Sequence, residues 1–290
     1  MNKSPHKGVL CVGRLYCDLI FTGVPRLPSY GTEVFAEGFG VHAGGGAVIT
    51  AAHLSALGRR TALAAMLPSA PFADLVMPEL RAAGLDLSLC RPNPTGAPQV
   101  TVAMAGAGDR AFLTRRTGPP FPEITRADLA GVGHIHIGEL GTLIERPGIL
   151  RLAQEWGATV SLDCAWDEGV TARDAAPLIA EVDVFLPNEA EAARLREQGL
   201  QPPFAPLTVT KRGAAGASAE ARGGAVTVPA EPVEAVDTTG AGDAFNAGFL
   251  AAWLEGQGLE ACLGAGNARG ALAVTGRGGF RAEAQPELVK

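Results

Sequence analysis

The chain has 290 residues, 47% of them hydrophobic and 19% charged, with a formal net charge of −6. That length and apolar content supply a substantial core and exclude a disordered chain. The acidic balance argues against a nucleic-acid surface, and no run approaches the roughly 18 apolar residues of a membrane span. Cys11, Cys17, Cys90, Cys164 and Cys262 form no CxxC pair, and their odd number fits no complete disulfide framework. Residues 1–7 are short and polar and do not read as a secretory leader, so a reducing cytoplasm is the expected setting.

Short apolar strands alternate with amphipathic helices along the chain. Residues 8–13 read as a first strand. Residues 19–43 break the alternation: they are rich in Gly and Pro, with apolar patches at 19–21 and 33–39, and read as extended strands outside the main sheet. Helices are expected over 47–57 and 74–83. Strands at 100–105 and 111–115 are joined by Gly106-Ala-Gly-Asp109, a hairpin signal. A strand at 134–137, a helix at 149–156 and strands at 159–163 and 182–186 follow. Then come a helix at 189–198, a strand at 207–210, a small hairpin through 217–228, and helices at 244–255 and 258–274. The alternation implies an α/β fold across 1–290, with a mostly parallel sheet flanked by helices. Ligands in such folds gather at the carboxyl ends of the strands.

The most informative stretch is 235–250, Ala-Val-Asp-Thr-Thr-Gly-Ala-Gly-Asp-Ala-Phe-Asn-Ala-Gly-Phe-Leu. A turn of small residues lies between Asp237 and Asp243 and runs into a helix. Amides at a helix start are unpaired and lie beside the positive end of the dipole, a place for a phosphate. Asp243 sits at the same spot, so Gly240, Ala241, Gly242 and Asp243 form an expected anion hole with a built-in general base.

This stretch closely resembles the D-T-x-G-A-G-D-x-F signature of the ribokinase-like (PfkB) family of carbohydrate and nucleoside kinases, and every fixed position is filled. The resemblance covers nearly the whole chain. It implies a ribokinase-like three-layer fold with a small β-sheet lid, contributed mainly by residues 19–43 and 100–116 and often a homodimer contact. It implies that Asp18, after the first strand, binds substrate hydroxyls. It places the sugar against Gly44 and Gly45 of a G-G-x-x-x-N pattern, where this chain has Ile49 for the Asn. At the family's G-x-D-x-F-G loop only Phe72 is kept, and Asp74 is the nearest acid. Glu139 falls where ribokinases contact substrate.

On the nucleotide side, Asn188 and Glu191 match an N-x-x-E motif that organises magnesium and phosphate, usually through water; an Asn N-cap with Glu at N3 would read the same. Lys211, Gly213 and Gly216 match the nucleotide loop, with Lys211 adding charge to the ATP phosphates. Asn267 takes the position facing adenine. Asp237, with the carbonyls of Thr239, Ala273, Gly276 and Gly278, matches a monovalent-cation (K+) site. The implied cofactors are ATP and Mg2+, with K+ a further expectation.

Two other motifs lead elsewhere. No G-x-x-x-x-G-K-[ST] is present, which excludes a P-loop kinase. Gly38-Phe-Gly-Val-His-Ala43 fits G-x-G-x-x-A but joins no first strand to a helix. His134 and His136 share one strand face without a third metal ligand in evidence, which favours a structural role. The reading is an ATP-dependent kinase acting on a hydroxyl, expected to be primary, of a sugar or sugar-like molecule. Two alternatives stay open: a nucleoside acceptor, since Ile49 and Tyr16 make the acceptor side less polar and Tyr16 offers a stacking ring, and a catalytically silent ligand-binding protein on the same scaffold.

Overall fold

The computed structural model describes residues 8–106, 110–165, 169–276 and 279–280. The chain begins with β1 (Gly8–Val12), β2 (Tyr16–Val24) and β3 (Gly38–Gly44), then α1 (Gly46–Ala56), β4 (Thr61–Ala64), β5 (Met66–Leu67), α2 (Phe72–Ala82) and β6 (Arg91–Pro92). It continues with β7 (Val100–Gly106), β8 (Arg110–Arg115), β9 (Val132–Ile137), α3 (Leu140–Glu145), α4 (Gly148–Trp156), β10 (Thr159–Asp163) and α5 (Ala172–Glu181). It ends with β11 (Val184–Leu186), α6 (Glu189–Glu197), β12 (Leu207–Lys211), β13 (Ala217–Ala221), β14 (Gly224–Val228), α7 (Ala241–Leu254) and α8 (Leu259–Val274).

Eight strands form the main sheet in the order β14-β13-β12-β11-β10-β9-β1-β4. The pairings from β4 to β12 are parallel, and β13 and β14 add an antiparallel edge. Parallel strands are buried on both faces and read as continuous apolar runs. β1, Gly-Val-Leu-Cys-Val, is buried throughout. Its alternate residues serve two cores. Val9 and Cys11 pack in the layer of α1, α2, α7 and α8, whereas Leu10 and Val12 pack in the layer of α3, α4, α5 and α6.

A second sheet, β3-β2-β7-β8, grows from the carboxyl end of β1. Its register gives two faces. Asp18, His42, Thr101 and Thr114 align across one; Leu19, Val41, Val102 and Leu113 align across the other. The apolar patch at 33–39 becomes strand only from Gly38 onward. Glu37 N donates to Thr22 O (2.9 Å) at the end of the ladder, and Phe35 is exposed without a partner strand. The G-x-G-x-x-A segment is β3, an antiparallel strand rather than a phosphate-binding turn. The tip of the hairpin at Gly106-Ala-Gly-Asp109 lies outside the described residues beyond Gly106.

α7 and α8 are apolar on most sides and lie against each other through small residues. A Cβ at Gly248 would collide with the carbonyl of Ala265 and lie 2.8 Å from Arg269 Cβ. Gly248→Val is expected to cost about 1–3 kcal/mol through overpacking, read as a lower midpoint in urea; an unchanged midpoint would contradict the close helix contact.

Candidate active site

The loop before α7 is shaped by one residue. Gly240 caps the helix at φ 71, in the left-handed region. A Cβ there would sit 2.8 Å from the Gly279 backbone and 3.0 Å from Ile49 Cγ2. The helix starts at Ala241, three residues earlier than the periodicity predicts, because the glycine turn hides its first turn. Asp243 therefore lies within that first turn. The Ala241 amide is directed at Thr238 O (3.3 Å), and Ala244 N donates to Gly240 O (2.8 Å). The amides of Gly242 and Asp243 have no acceptor among the described residues. Of the four amides of the expected anion hole, that of Ala241 is partly occupied.

The expected acceptor side is a turn without side chains. Gly45 has φ 103 and caps α1. A Cβ at Gly44 would run into the Asp18 carboxylate; one at Gly46 would lie 3.0 Å from Asp243 Oδ1. Both carboxylates therefore border the same three glycines. Burial pushes the Asp18 carboxyl up to about 7, against the opposing pull of His42 and a hydrogen bond from Thr101. Burial, and then Asp163, push the Asp243 carboxyl well above the ordinary carboxylate range; Asp18 and Glu191 add to the rise and Lys211 opposes it.

α2 supplies an acid that the sequence reading did not single out. Glu79 Oε1 accepts from His42 Nδ1 (2.9 Å) and Oε2 from Ala43 N (2.7 Å), which ties α2 to β3. Asp74 is exposed. Ile49 is buried, with its side chain against Gly240 and Gly279, so it supports the α7 turn. Glu139 is buried, accepts from Thr142 Oγ1 (2.8 Å) and lies 3.5 Å from Arg14 Nε. Arg14 also grips Glu145 (2.6 Å) and donates to Gln99 and to Gly118 O. Tyr16 is only 7% exposed and its hydroxyl accepts from Arg116 Nε (3.1 Å), so its ring is not available for stacking on a base.

On the other flank, Asn188 and Glu191 form a reciprocal capping box. Asn188 Oδ1 accepts from Glu191 N (2.9 Å), and Glu191 Oε2 accepts from Asn188 N (2.7 Å). Lys211 is committed to an ion pair: its Nζ donates to Asp163 Oδ1 (2.8 Å) and Asn246 Oδ1 (3.2 Å). Asn246 Nδ2 donates to Asp163 Oδ2 (2.7 Å). Gly213 and Gly216 bound a tight turn in which Arg212 N donates to Gly216 O (2.8 Å), and a Cβ at Gly216 would strike the end of β14. Asn267 Nδ2 donates to the carbonyls of Val228 (3.1 Å) and Pro229 (3.2 Å), so its amide nitrogen holds the β14 edge.

Asp237 Oδ1 accepts from Thr239 N (2.9 Å) and Thr239 Oγ1 (2.7 Å), and Asp237 N donates to Val274 O (3.1 Å). This brings Asp237 and Thr239 to the segment of Ala273 and Gly276; Gly278 lies outside the described residues. His134 and His136 share Ser161 Oγ at 2.8 and 2.9 Å, a buried structural ladder. Among the described residues no cluster of three His, Cys, Asp or Glu side chains could hold a metal alone. Asp163 and Asn246 were not foreseen. The available signals were the place of Asp163 at the carboxyl end of a strand and that of Asn246 in the turn of α7 after Asp243.

Residues 6–284 match the model of the pfkB family of carbohydrate kinases. The chain is 31% identical to an ATP-dependent ribose-1-phosphate kinase of Halopiger xanaduensis, over 97% of this chain and 96% of that one. Its fold resembles that of a Methanocaldococcus jannaschii nucleoside kinase of the ribokinase family (TM-score 0.80, 19% identity, 94% and 93% of the two chains). It also resembles an E. coli protein solved with ATP and Mg2+ (TM-score 0.78, 22% identity, 94% of each chain). The match over nearly the whole length, on a chain whose glycine turns gather Asp18 and Asp243, makes this protein a member of the pfkB family of carbohydrate kinases, which are phosphotransferases.

Proposed function

We propose that the chain transfers the γ-phosphoryl group of ATP to a hydroxyl, expected to be primary, of a sugar or sugar-like small molecule. The observation that carries this reading is Asp243: a half-buried carboxylate of raised pKa, in the first turn of a helix with two amides free to bind an anion, beside a side-chain-free turn. Asp243 takes the hydroxyl proton as the acceptor oxygen bonds to phosphorus. The bond from the γ-phosphorus to the bridging oxygen breaks, and ADP leaves. The amides of Gly242 and Asp243, at the end of the turn from Gly240, hold the charge of the transferring group.

Asp18 accepts hydrogen bonds from acceptor hydroxyls, and Gly44 and Gly45 let the ring reach the backbone. Glu139, anchored by Thr142 and Arg14, closes the far wall. The polar face of the small sheet, acting as a lid, keeps water from competing as acceptor. The ribose-1-phosphate kinase relative favours a sugar over a nucleoside, and the burial of Tyr16 removes the feature that favoured a base.

Hard oxygen donors near the phosphate position fit magnesium held largely through water. Glu191 would organise it, and bound magnesium neutralises phosphate charge. Asp237 and the carbonyls of Thr239, Ala273, Gly276 and Gly278 would suit K+. Gly213 and Gly216 would let ATP approach the backbone, and the Oδ1 of Asn267 would face the base. A cytoplasmic location accords with this ATP-dependent reading.

Asp243→Asn is expected to lower kcat about 10²–10⁴-fold, the scale of a general base, while ATP binding persists. Because the Asp243 pKa is raised, wild-type kcat/KM should climb with pH through neutrality as the base form appears, and the variant should lose that limb. Near-normal turnover in the variant would sink the assignment. A panel of sugars, sugar acids and nucleosides, read by ADP release with Mg2+ and K+ present or omitted, should show a magnesium-dependent sugar acceptor and K+ stimulation. Turnover of nucleosides alone would overturn the acceptor class, and indifference to K+ would remove the cation site. The apolar face of the small sheet, with Phe39 62% and Leu113 69% exposed, favours a homodimer through the lid. Light scattering should find a dimer that Leu113→Asp dissociates; a wild-type monomer at micromolar concentration would contradict it.

A further inference from the structure

Lys211 stands in an electrostatically costly place. Its side chain is 12% exposed. Its Nζ lies 3.4 Å from where a Cβ on Gly242 would be, so the ammonium flanks the first turn of α7. Cations are favoured at the other end of a helix, where the dipole is negative. Its anionic hydrogen-bond partner among the described residues is Asp163, and both oxygens of that carboxylate are engaged. Asp163 Oδ1 also accepts from Cys164 N (2.7 Å), and Oδ2 accepts from Asn246 (2.7 Å). Beneath the pair, burial holds the His136 imidazole at a pKa of about 4, so it is neutral and does not compete for Asp163. An ammonium has three hydrogens to donate. Two go to Asp163 and Asn246, and the third has no acceptor among the described residues.

We propose that Lys211 is a catalytic residue whose third N–H is donated to the transferring phosphoryl group, and that Asp163 and Asn246 are positioning residues that aim it. This rests on the kinase reading above and replaces a general contact with the ATP phosphates by a specific one. Asp163 and Asn246 restrain the ammonium from two sides, so the contact needs little reorganisation as charge develops. Lys211 stays protonated throughout; the acceptor proton goes to Asp243. Asp163, Asp18 and Glu191, all acidic, act to raise the Asp243 carboxyl, and Lys211 opposes them. Arg212 does not share the role, for its Nε lies 3.5 Å from Glu189.

The test compares full-length wild type with Lys211→Met, Lys211→Gln, Lys211→Arg and Asp163→Asn. Titration calorimetry with ADP and with AMP-PNP, both with Mg2+, separates the γ-phosphate from the rest of the nucleotide. Lys211→Met and Lys211→Gln should bind ADP as wild type does, lose about tenfold in AMP-PNP affinity and lose about 10²–10³-fold in kcat. The rising limb of kcat/KM should move to higher pH, and Lys211→Arg should recover part of the loss. Asp163→Asn should lower kcat less while retaining ADP binding. Lys211→Gln keeps a hydrogen bond to Asp163, so it serves if the Met variant melts early. An unchanged ratio of ADP to AMP-PNP affinity, with kcat within about threefold of wild type, would overturn the inference while leaving the kinase reading standing. A wild type that binds neither nucleotide and releases no ADP would overturn both.

Discussion

Three consecutive glycines, Gly44 to Gly46, let the structure close on the start of α1, for the place of a side chain is taken by the Asp18 carboxylate at Gly44, by the Arg14 carbonyl at Gly45 and by the Gly138 carbonyl at Gly46. Asp18 reaches one end of the turn and Asp243 the other, from elements more than two hundred residues apart in sequence. A methyl group at Gly44 or Gly46 would press against one carboxylate or the other. The turn is set in turn by Gly45, whose φ of 103 lets α1 begin there, and by the carboxyl end of β9, which brings Gly138 against Ala47. The main sheet thereby brings the glycine turn to the helix that carries Asp243.

The electrostatics follow from that convergence. Burial raises both half-buried carboxyls, and Asp163, Asp18 and Glu191 add to the rise at Asp243, so each proton is held more tightly than in water. An acid held this way is a better proton acceptor near neutral pH than an ordinary aspartate. The same crowding costs stability unless cations offset it. His42 faces Asp18 and is held by Glu79; Lys211 faces Asp243 and is held by Asp163. Each carboxylate of the centre thus has a tethered basic side chain beside it, and each tether reaches into a neighbouring helix or strand.

Most of the architecture was legible in the amino-acid pattern. Parallel strands announce themselves as apolar runs such as Gly-Val-Leu-Cys-Val, and helices by their period. β4 escaped because Thr-Ala-Leu-Ala is short and lacks a β-branched run, and α5 because Pro177 reads as a breaker. The Gly-rich signature led directly to Asp243 and to the turn at Gly240. What could not be read was commitment: Lys211 looks like a free charge beside a glycine loop, and only the fold shows it locked to Asp163. Asn267 and Tyr16 are of the same kind, residues whose side-chain partners lie far along the chain. Ile49, at a position where the family pattern has a polar residue, is a packing residue beneath Gly240.

The central claim, that Asp243 and the adjoining turn move a phosphoryl group onto a hydroxyl, is tested most directly by following label from [γ-32P]ATP into candidate sugars. The account predicts one labelled sugar phosphate for each ADP formed by the wild-type enzyme, and labelling of the sugar about 10²–10⁴-fold slower with Asp243→Asn. ADP formed with the label appearing as inorganic phosphate, or equal labelling by the variant, would contradict it.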